Sequence, residues 1–332
     1  MLYKSWANLL HHDIVASTRS VNIIHQQIKK RQFSNKMENK NRPEHLQLTA
    51  TQKREPDIYS AEISSIKQLS PTIKGFTLQV TSKTETPPTF KAGQWVDFFI
   101  PGLEKVGGYS MCSEPKIFET EGKMELAVKY STWAPAQWLH TIAKPGSKVA
   151  FKVGGEFHYP NKVIEEIESQ KYDHDILLIA GGVGINPLFS IFLHLNQLEK
   201  ERRNLDEINN VRVNLLYSSK TKEELIFCDR IKDIVASNKA SGDSMNRSNS
   251  FNATFFTTQN SIPEPDFKNK RIDVDDIKEA IKLFSDEKND TRKENKPLFC
   301  YLCGPPNMIK DIARILIDLG VPKKRVIYEM WW

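Results

Sequence analysis

The sequence predicts two domains, an antiparallel β-barrel followed by a doubly wound parallel α/β domain. Residues 57–160 contain short, alternating, β-branched stretches separated by Pro/Gly turns, which are typical of a small barrel. Residues 170–332 alternate unbroken apolar strands with helices at the spacing of successive β-α units. A chain of 332 residues is long enough to form two hydrophobic cores.

In the first domain, alternation and turn residues predict five strands and one helix. The predicted strands are 57–68, 73–81, 95–100, 123–130 and 148–153, with a short helix at 135–143. In the second domain, apolar runs predict strands at 176–180, 211–217, 253–258, 298–302 and 325–330. Helices are predicted between them at 187–200, 223–235, 274–284 and 305–320, the last ending at Gly320 as a natural C-cap.

The N-terminal segment differs from the rest of the chain in charge. Residues 1–37 hold six basic residues and one acidic residue, so the remainder has 41 Lys+Arg against 40 Asp+Glu. A basic, Ser-bearing, acid-poor start predicts a mitochondrial transit peptide and a matrix protein, with a plain polar tail as the alternative. Residues 38–56 are predicted to be a flexible lead-in. The nearly equal numbers of basic and acidic residues after residue 37 differ from the basic excess of a nucleic-acid binder. The sequence contains no apolar run of 18 or more residues, so no membrane span is predicted.

The four cysteines predict neither a metal centre nor a disulfide framework. Cys300 and Cys303 form one CxxC, but it has no second pair and no nearby histidine, so the zinc signal is weak. We expect Cys300 to be a core residue. His140 and His158 are also interpreted as structural residues, and no metal ligand is predicted.

The strongest motif is a strand-to-helix turn at residues 177–188. A buried strand runs into three glycines, and Asn186-Pro187 then opens a helix. Glycines permit tight turning and close approach of backbone N–H groups to a pyrophosphate, and a helix N-terminus favours an anion. The predicted nucleotide-binding residues of this turn are Gly181, Gly182, Val183, Gly184, Ile185, Asn186 and Pro187.

A second strand-to-helix turn lies at residues 298–309, where a strand delivers Cys303 and the chain then turns through Gly304 and Pro305. We expect it at the other end of the same sheet. Both turns follow strand C-terminal ends, where open α/β sheets bind their ligands.

These two motifs, in this order behind a β-rich domain, resemble the ferredoxin–NADP reductase superfamily. The resemblance runs from residue 57 to residue 332 and implies a flavin-reductase-type barrel that binds FAD, followed by an NAD(P)-binding domain. It implies that Cys303, Gly304 and Pro305 lie beside the nicotinamide, that Glu329 is the acidic residue near the C-terminus, and that Trp331 covers the flavin ring. The glycine turn at 181–187 would cradle the pyrophosphate of the nucleotide.

The resemblance fails at the flavin phosphate. In the family motif Arg-x-Tyr-Ser, this chain keeps Tyr109 and Ser110, which are the predicted flavin contacts, but has Gly107 at the arginine position. In the second flavin motif, Trp133 replaces the glycine and Ala136 replaces the serine. Trp133 would either stack on adenine or fill the space that a phosphate would take.

The resemblance therefore implies an oxidoreductase that passes hydride from NAD(P)H to a flavin, and then to an unknown acceptor. The chain contains no iron–sulfur or haem motif, so the acceptor would be a separate protein or a small molecule. NAD is favoured slightly, although Lys220 could meet a 2′-phosphate or could be a solvated surface residue. Two alternatives stay open: a nucleotide-binding sensor or assembly factor with a degraded flavin site, and an interaction protein that uses neither site.

Overall fold

A computed structural model describes residues 44–82, 89–168, 174–204, 211–242, 251–259, 266–284 and 296–330. The predicted transit peptide and Trp331 lie outside these residues. The described part of the chain forms two six-stranded sheets, one antiparallel and one parallel. The predicted fold class is therefore confirmed. No helix in these ranges is long and apolar enough to cross a membrane.

The first sheet is antiparallel and has the strand order β4-β3-β6-β1-β2-β5. Its edge strands meet through a bridge between Met111 and Leu126 and a bond from the Cys112 N–H to the Glu125 carbonyl, which together close the sheet into a barrel. The strands are β1 Tyr59–Ser70, β2 Ile73–Val80, β3 Trp95–Phe99, β4 Gly107–Ser110, β5 Lys123–Lys129 and β6 Lys148–Gly154. The helices are α1 His45–Leu48, α2 Pro115–Glu121, α3 Ala134–Thr141 and α4 Lys162–Glu168.

The second sheet is parallel and has the order β10-β9-β8-β7-β11-β12. Its strands are β7 Asp175–Gly181, β8 Arg212–Ser219, β9 Phe251–Thr257, β10 Phe267–Lys268, β11 Leu298–Gly304 and β12 Val326–Met330. Its helices are α5 Ile185–Asn204, α6 Cys228–Gly242, α7 Val274–Lys282 and α8 Pro306–Asp318. This alternation of strand and helix is the predicted doubly wound arrangement.

Helices cover both faces of the parallel sheet, and β7 shows why its sequence is an unbroken apolar run. Ile176 and Leu178 face the core beneath α5 and α6, whereas Leu177 and Ile179 face the core beneath α7 and α8. Every residue of β7 is buried because both of its faces are covered.

Two sequence predictions about local structure are wrong. The helix expected from residue 223 begins at Cys228, because the chain first makes a 3₁₀ turn and Phe227 then adopts a positive φ of 65° that a helix cannot hold. The turn containing Gly304 does not lie at the other end of the sheet, since β11 is the direct neighbour of β7.

Specific polar contacts join the barrel to the parallel sheet at the first turns of α5. The Asn186 side-chain amide donates to the Ala127 carbonyl at 2.7 Å, and the Ser190 hydroxyl donates to the Ser113 carbonyl at 2.7 Å. Apolar residues of the barrel, Ile73 and Ala127 among them, belong to the same core as α5. The helix that carries the glycine turn is therefore fixed directly on the barrel.

Glu224 makes a second link between the two sheets. Its Oε1 accepts from the Thr72 hydroxyl and from Lys129 Nζ, both at 3.0 Å. Burial alone would raise the pKa of Glu224, but the hydrogen bonds and charge of Lys129, together with the Thr72 hydroxyl, lower it. Because Lys129 is 39% exposed, solvent screens the pair.

We expect Glu224→Gln to lower the free energy of unfolding by about 0.5–1 kcal/mol at pH 7. The folded-state pKa is depressed, so this contribution is complete above the unfolded-state value near 4.3 and disappears as pH falls through the folded value. Urea unfolding at pH 7 and at about pH 3 measures the difference. Glu119→Gln, on the exposed face of α2, is the control, and an equal loss at both pH values would contradict the assignment.

Candidate functional site

The glycine turn follows β7 at the carboxyl edge of the parallel sheet. Gly182–Gly184 form a single 3₁₀ turn, and α5 begins at Ile185, so Asn186 and Pro187 lie within its first turn. Gly182 has a φ of 56°, a conformation that glycine adopts without steric cost. A proline in the first helical turn loses no hydrogen bond, because that N–H has no partner within the helix.

The second turn lies against the first, backbone to backbone. A Cβ atom on Gly184 would lie 2.3 Å from the carbonyl oxygen of Cys303, and one on Gly304 would lie 3.1 Å from the Cα of Gly181. Position 184 therefore requires glycine, whereas a side chain at position 304 would need the Gly181 backbone to shift by a few tenths of an ångström. The two predicted turns thus form one continuous edge, with the N-termini of α5 and α8 beside it. Helix N-termini at a sheet's carboxyl edge suit a pyrophosphate.

Asn186 has a different local role from the one its position in the turn predicted. Its amide nitrogen donates a hydrogen bond to the Ala127 carbonyl of the barrel, as described above. Its Oδ1 is buried and has no hydrogen-bond partner among the described residues. The side chain therefore connects the turn to the barrel, and a contact between Asn186 and a nucleotide stays a prediction.

Cys303 and Glu329 are adjacent in register on β11 and β12. The Cys303 side chain is fully buried, and this burial, together with the Glu329 carboxylate, raises the pKa of its thiol well above the ordinary value. This shift disfavours the thiolate, which is the form in which a cysteine acts as a nucleophile. A position of Cys303 beside a nicotinamide stays a prediction. Trp331 follows β12 outside the described residues, so its position over a flavin stays a prediction.

Tyr109 packs into the barrel, with its ring centroid 5.6 Å from that of Phe98. A Cβ on Gly107 would lie 2.6 Å from the Tyr109 ring, so the phenol occupies the space in front of the position where the family has arginine. The Tyr109 hydroxyl is buried without a hydrogen-bond partner among the described residues, and burial raises its pKa. Ser110, the other predicted flavin contact, is also buried.

The second flavin motif lies at the N-terminus of α3. Trp133 is the N-cap residue and makes no side-chain capping bond, and Ala136 carries no hydroxyl. Lys105 lies over the Trp133 ring at 5.9 Å and forms an ion pair with Glu44. In this conformation the described residues around Gly107 do not fit an FAD pyrophosphate, because glycine stands at the arginine position and the nearby Lys105 already pairs with Glu44.

The sequence analysis missed three residues that shape this part of the barrel. Asp97, almost fully buried on β3, accepts from His45 Nε2 at 2.8 Å and from Arg54 Nε at 2.7 Å. Burial alone would raise the pKa of Asp97, but the hydrogen bonds and charges of these two residues lower it. The signal was present in the sequence, since a carboxylate inside the apolar run 95–100 requires a cationic partner.

Two hydroxyl-bearing residues lie at the carboxyl ends of β8 and β9. Ser219 and Thr257 are paired in register on β8 and β9, and both hydroxyls are buried without a partner among the described residues. Lys220 follows β8 and is exposed. No acidic residue stands directly at this strand end, which agrees with the sequence. No cluster of three metal-ligating side chains occurs in the described ranges.

Together, the barrel, the parallel sheet and the paired turns form the two-domain fold of the ferredoxin–NADP reductases, so the fold that the resemblance implied is confirmed. Residues 178–314 match the Oxidoreductase NAD-binding domain family. The chain is 38% identical over 309 residues to Oxidoreductase NAD-binding domain-containing protein 1 of Xenopus laevis, covering 90% of this chain and 87% of the relative. The same protein of Danio rerio is 37% identical over 297 residues, with coverage of 89% and 100%. The chain belongs to this family.

Solved structures share the fold. A ferredoxin NADP+ reductase from Neisseria gonorrhoeae, with bound FAD and NADP, matches 84% of this chain and 100% of its own length, with a TM-score of 0.58 and 22% identity. The CS-b5R domains of human Ncb5or, in the NAD+ form, match 83% of this chain and 70% of their own, with a TM-score of 0.61 and 18% identity. At these identities the likeness concerns the fold alone.

Substitutions at Gly184 and Gly182 are expected to affect different properties, the first mainly the free energy of unfolding and the second also nucleotide binding. Gly184→Ala places a methyl group against the Cys303 carbonyl and should cost about 2–3 kcal/mol in the free energy of unfolding. Gly182→Ala meets no atom within 4 Å, so its cost is the strain of a positive φ, about 1–2 kcal/mol.

The methyl group of the Gly182→Ala variant would point into open space at the turn. We therefore expect this variant to weaken NADH binding about tenfold, or about 1.4 kcal/mol. Thermal unfolding and calorimetric titration with NADH measure the two effects. Equal stability losses for the two variants would contradict the close contact at Gly184.

The buried thiol of Cys303 should resist alkylation. At pH 8, iodoacetamide is expected to modify Cys228, which is only partly buried and whose pKa burial raises to about 11, faster than Cys303. Mass spectrometry of tryptic peptides measures both rates, with unfolded protein in urea as the control. Rapid modification of Cys303 in the folded protein would contradict its protonated, inaccessible state.

Proposed function

We propose that this chain is an NAD(P)H-dependent oxidoreductase that takes hydride from a nicotinamide nucleotide and passes electrons to a separate acceptor. The observation that carries the proposal is the backbone contact between the two glycine turns, which builds a single nucleotide-binding edge beside the barrel. Family membership and the shared reductase fold support it.

In this proposal, the turn 181–187 holds the pyrophosphate against backbone N–H groups and the α5 N-terminus. Cys303, Gly304 and Pro305 form the wall on which the nicotinamide lies, because the Cys303–Gly304 peptide lies against Gly184 and the Pro305 ring lies beside Gly181. Glu329 and Trp331 would stand at the far side of that wall. Hydride transfer requires donor and acceptor atoms about 3–3.5 Å apart, which this wall would set for one face of the ring.

For the nucleotide, we propose NAD, with NADP as the competing choice. A family name that refers to NAD supports the first. The absence of an acidic residue at the end of β8, and the exposed Lys220 there, favour tolerance of a 2′-phosphate. FAD is the flavin we propose, by fold, although the barrel as described does not fit its pyrophosphate.

A specific observation favours a second candidate function, a nucleotide-binding sensor or assembly factor without redox turnover. Tyr109 fills the space before Gly107, and Lys105 is paired with Glu44, so the barrel holds no preformed phosphate site. For the cellular location, we propose the mitochondrial matrix on the basis of the basic segment 1–37.

The two candidates are separated by measuring binding and turnover with the same protein. Calorimetric titration with NADH and NADPH should give a micromolar dissociation constant, about −8 kcal/mol, for at least one of them. Ferricyanide reduction is then followed with and without added FAD. Binding with FAD-stimulated reduction supports the reductase, whereas binding without reduction supports the sensor. If neither NADH nor NADPH binds, both candidate functions are excluded.

Lys220→Glu is the matched probe of nucleotide choice, because it replaces the exposed cation with the ribose-hydroxyl acceptor typical of NAD sites. It is expected to weaken NADPH binding about tenfold relative to NADH, or about 1.4 kcal/mol. Lys200→Glu, on α5, serves as the charge-matched control. Equal changes in both variants would show that Lys220 does not contact the nucleotide.

A further inference from the structure

The chain's own N-terminal strap, defined as residues 44–55, lies across the barrel face at which a flavin phosphate would be expected. The strap contains α1 and ends by pairing with β6, where the Gly155 N–H donates to the Lys53 carbonyl at 2.9 Å. The Glu55 N–H donates to the Val153 carbonyl at the same distance. The strap is thus built onto the barrel as an extra layer.

The C-terminal part of the strap is anchored by a buried charge. Arg54 uses all five of its N–H donors, on Asp97, on the Thr49 carbonyl and hydroxyl, and on the Gln52 carbonyl. Its guanidinium also lies over the Trp95 ring at 4.9 Å. Breaking one partner of a buried pair leaves an uncompensated charge, so this end of the strap is firmly held.

The N-terminal part of the strap reaches the residues beside the missing arginine. The His45 ring lies directly on Gly108, where an added Cβ would come 2.1 Å from His45 Nδ1. Any side chain at position 108 would therefore have to move the His45 ring. Since Gly107 is covered by Tyr109 in the same way, the two glycines that begin β4 are both covered by rings from this chain.

The cation two residues before Gly107 also has a partner. Lys105 Nζ pairs with the Glu44 carboxylate of the strap and lies over Trp133 of the second flavin motif. The two side chains are 44% and 35% exposed, and exposed ion pairs contribute little stability. Opening this end also requires the buried His45–Asp97 hydrogen bond to break, after which Asp97 keeps its two bonds to Arg54 and Arg54 holds the other end in place.

We infer that the Glu44 carboxylate occupies the position in which the phosphate of a bound ligand would pair with Lys105. The Glu44–His45 end of the strap must therefore be displaced before a phosphorylated flavin can bind. A carboxylate and a phosphate are both anions that an ammonium group can hold, so they compete for one site. The inference rests on the proposed function only for naming the flavin as ligand.

The test compares FAD with riboflavin, which has the same ring but no phosphate. In the full chain, Glu44→Gln/His45→Ala removes the competing anion and the ring on Gly108 without changing a barrel residue. Glutamine keeps the acceptor that caps α1. Flavin fluorescence and calorimetry are expected to show at least about tenfold tighter FAD binding and less than about threefold change for riboflavin.

Two further variants test the roles of Glu44 and Lys105. Thr51→Ala/Glu55→Gln is the charge-matched control, because it alters exposed strap residues that make no side-chain contact with Lys105, and it should leave FAD affinity unchanged. Adding Lys105→Met to the Glu44→Gln/His45→Ala protein should remove the gain in FAD affinity. Thermal unfolding of every variant verifies that the barrel is folded.

A second measurement needs no variant. In the intact chain, FAD should speed hydrogen exchange of the amides of Gln47, Leu48 and Thr49, whose bonds to Glu44 and His45 carbonyls form α1. The inference is overturned if FAD affinity is the same in the intact and Glu44→Gln/His45→Ala proteins, or if riboflavin gains as much as FAD. NADH binding is measured in a separate titration. Failure of NADH to bind would contradict the proposed function but not the inference about the strap.

Discussion

The structure depends on a contact in which no side chain takes part. The peptide between Cys303 and Gly304 lies so close to Gly184 that even a methyl group would collide with it. This contact holds the ends of β7 and β11 together and brings two turns that are more than 100 residues apart in sequence into one edge. Because both turns lead into helices, two helix N-termini stand at the same edge. The chemistry open to the protein follows from that arrangement.

The barrel is coupled to this edge through the first two turns of α5. Asn186 and Ser190 donate to barrel carbonyls, and the surrounding core is continuous between the two sheets. A hydride acceptor held by the barrel would therefore keep a fixed relation to the nucleotide. Preorganisation of this kind matters because hydride transfer tolerates little variation in distance.

The phosphate end of the barrel has departed from the family pattern in a consistent way. Glycine at 107 lets the Tyr109 phenol fold back, and Gly108 accepts the His45 ring. Asp97, buried beneath them, draws Arg54 and His45 onto the same face. A side chain at position 107 would meet the Tyr109 ring, and one at position 108 would meet the His45 ring of the strap.

The sequence by itself predicted the two kinds of sheet, the order of the longer strands and helices, and the glycines of both turns, but not the short strands β4 and β10 or the short helices α1, α2 and α4. The predicted features are local: alternation, unbroken apolar runs and turn residues are visible within a few positions. It did not place β11 beside β7, start α6 at Cys228, or reveal that residues 44–55 pack on the barrel. Strand neighbours, the left-handed Phe227 and the partners of Asp97 depend on residues distant in sequence, and only tertiary packing decides which of them meet.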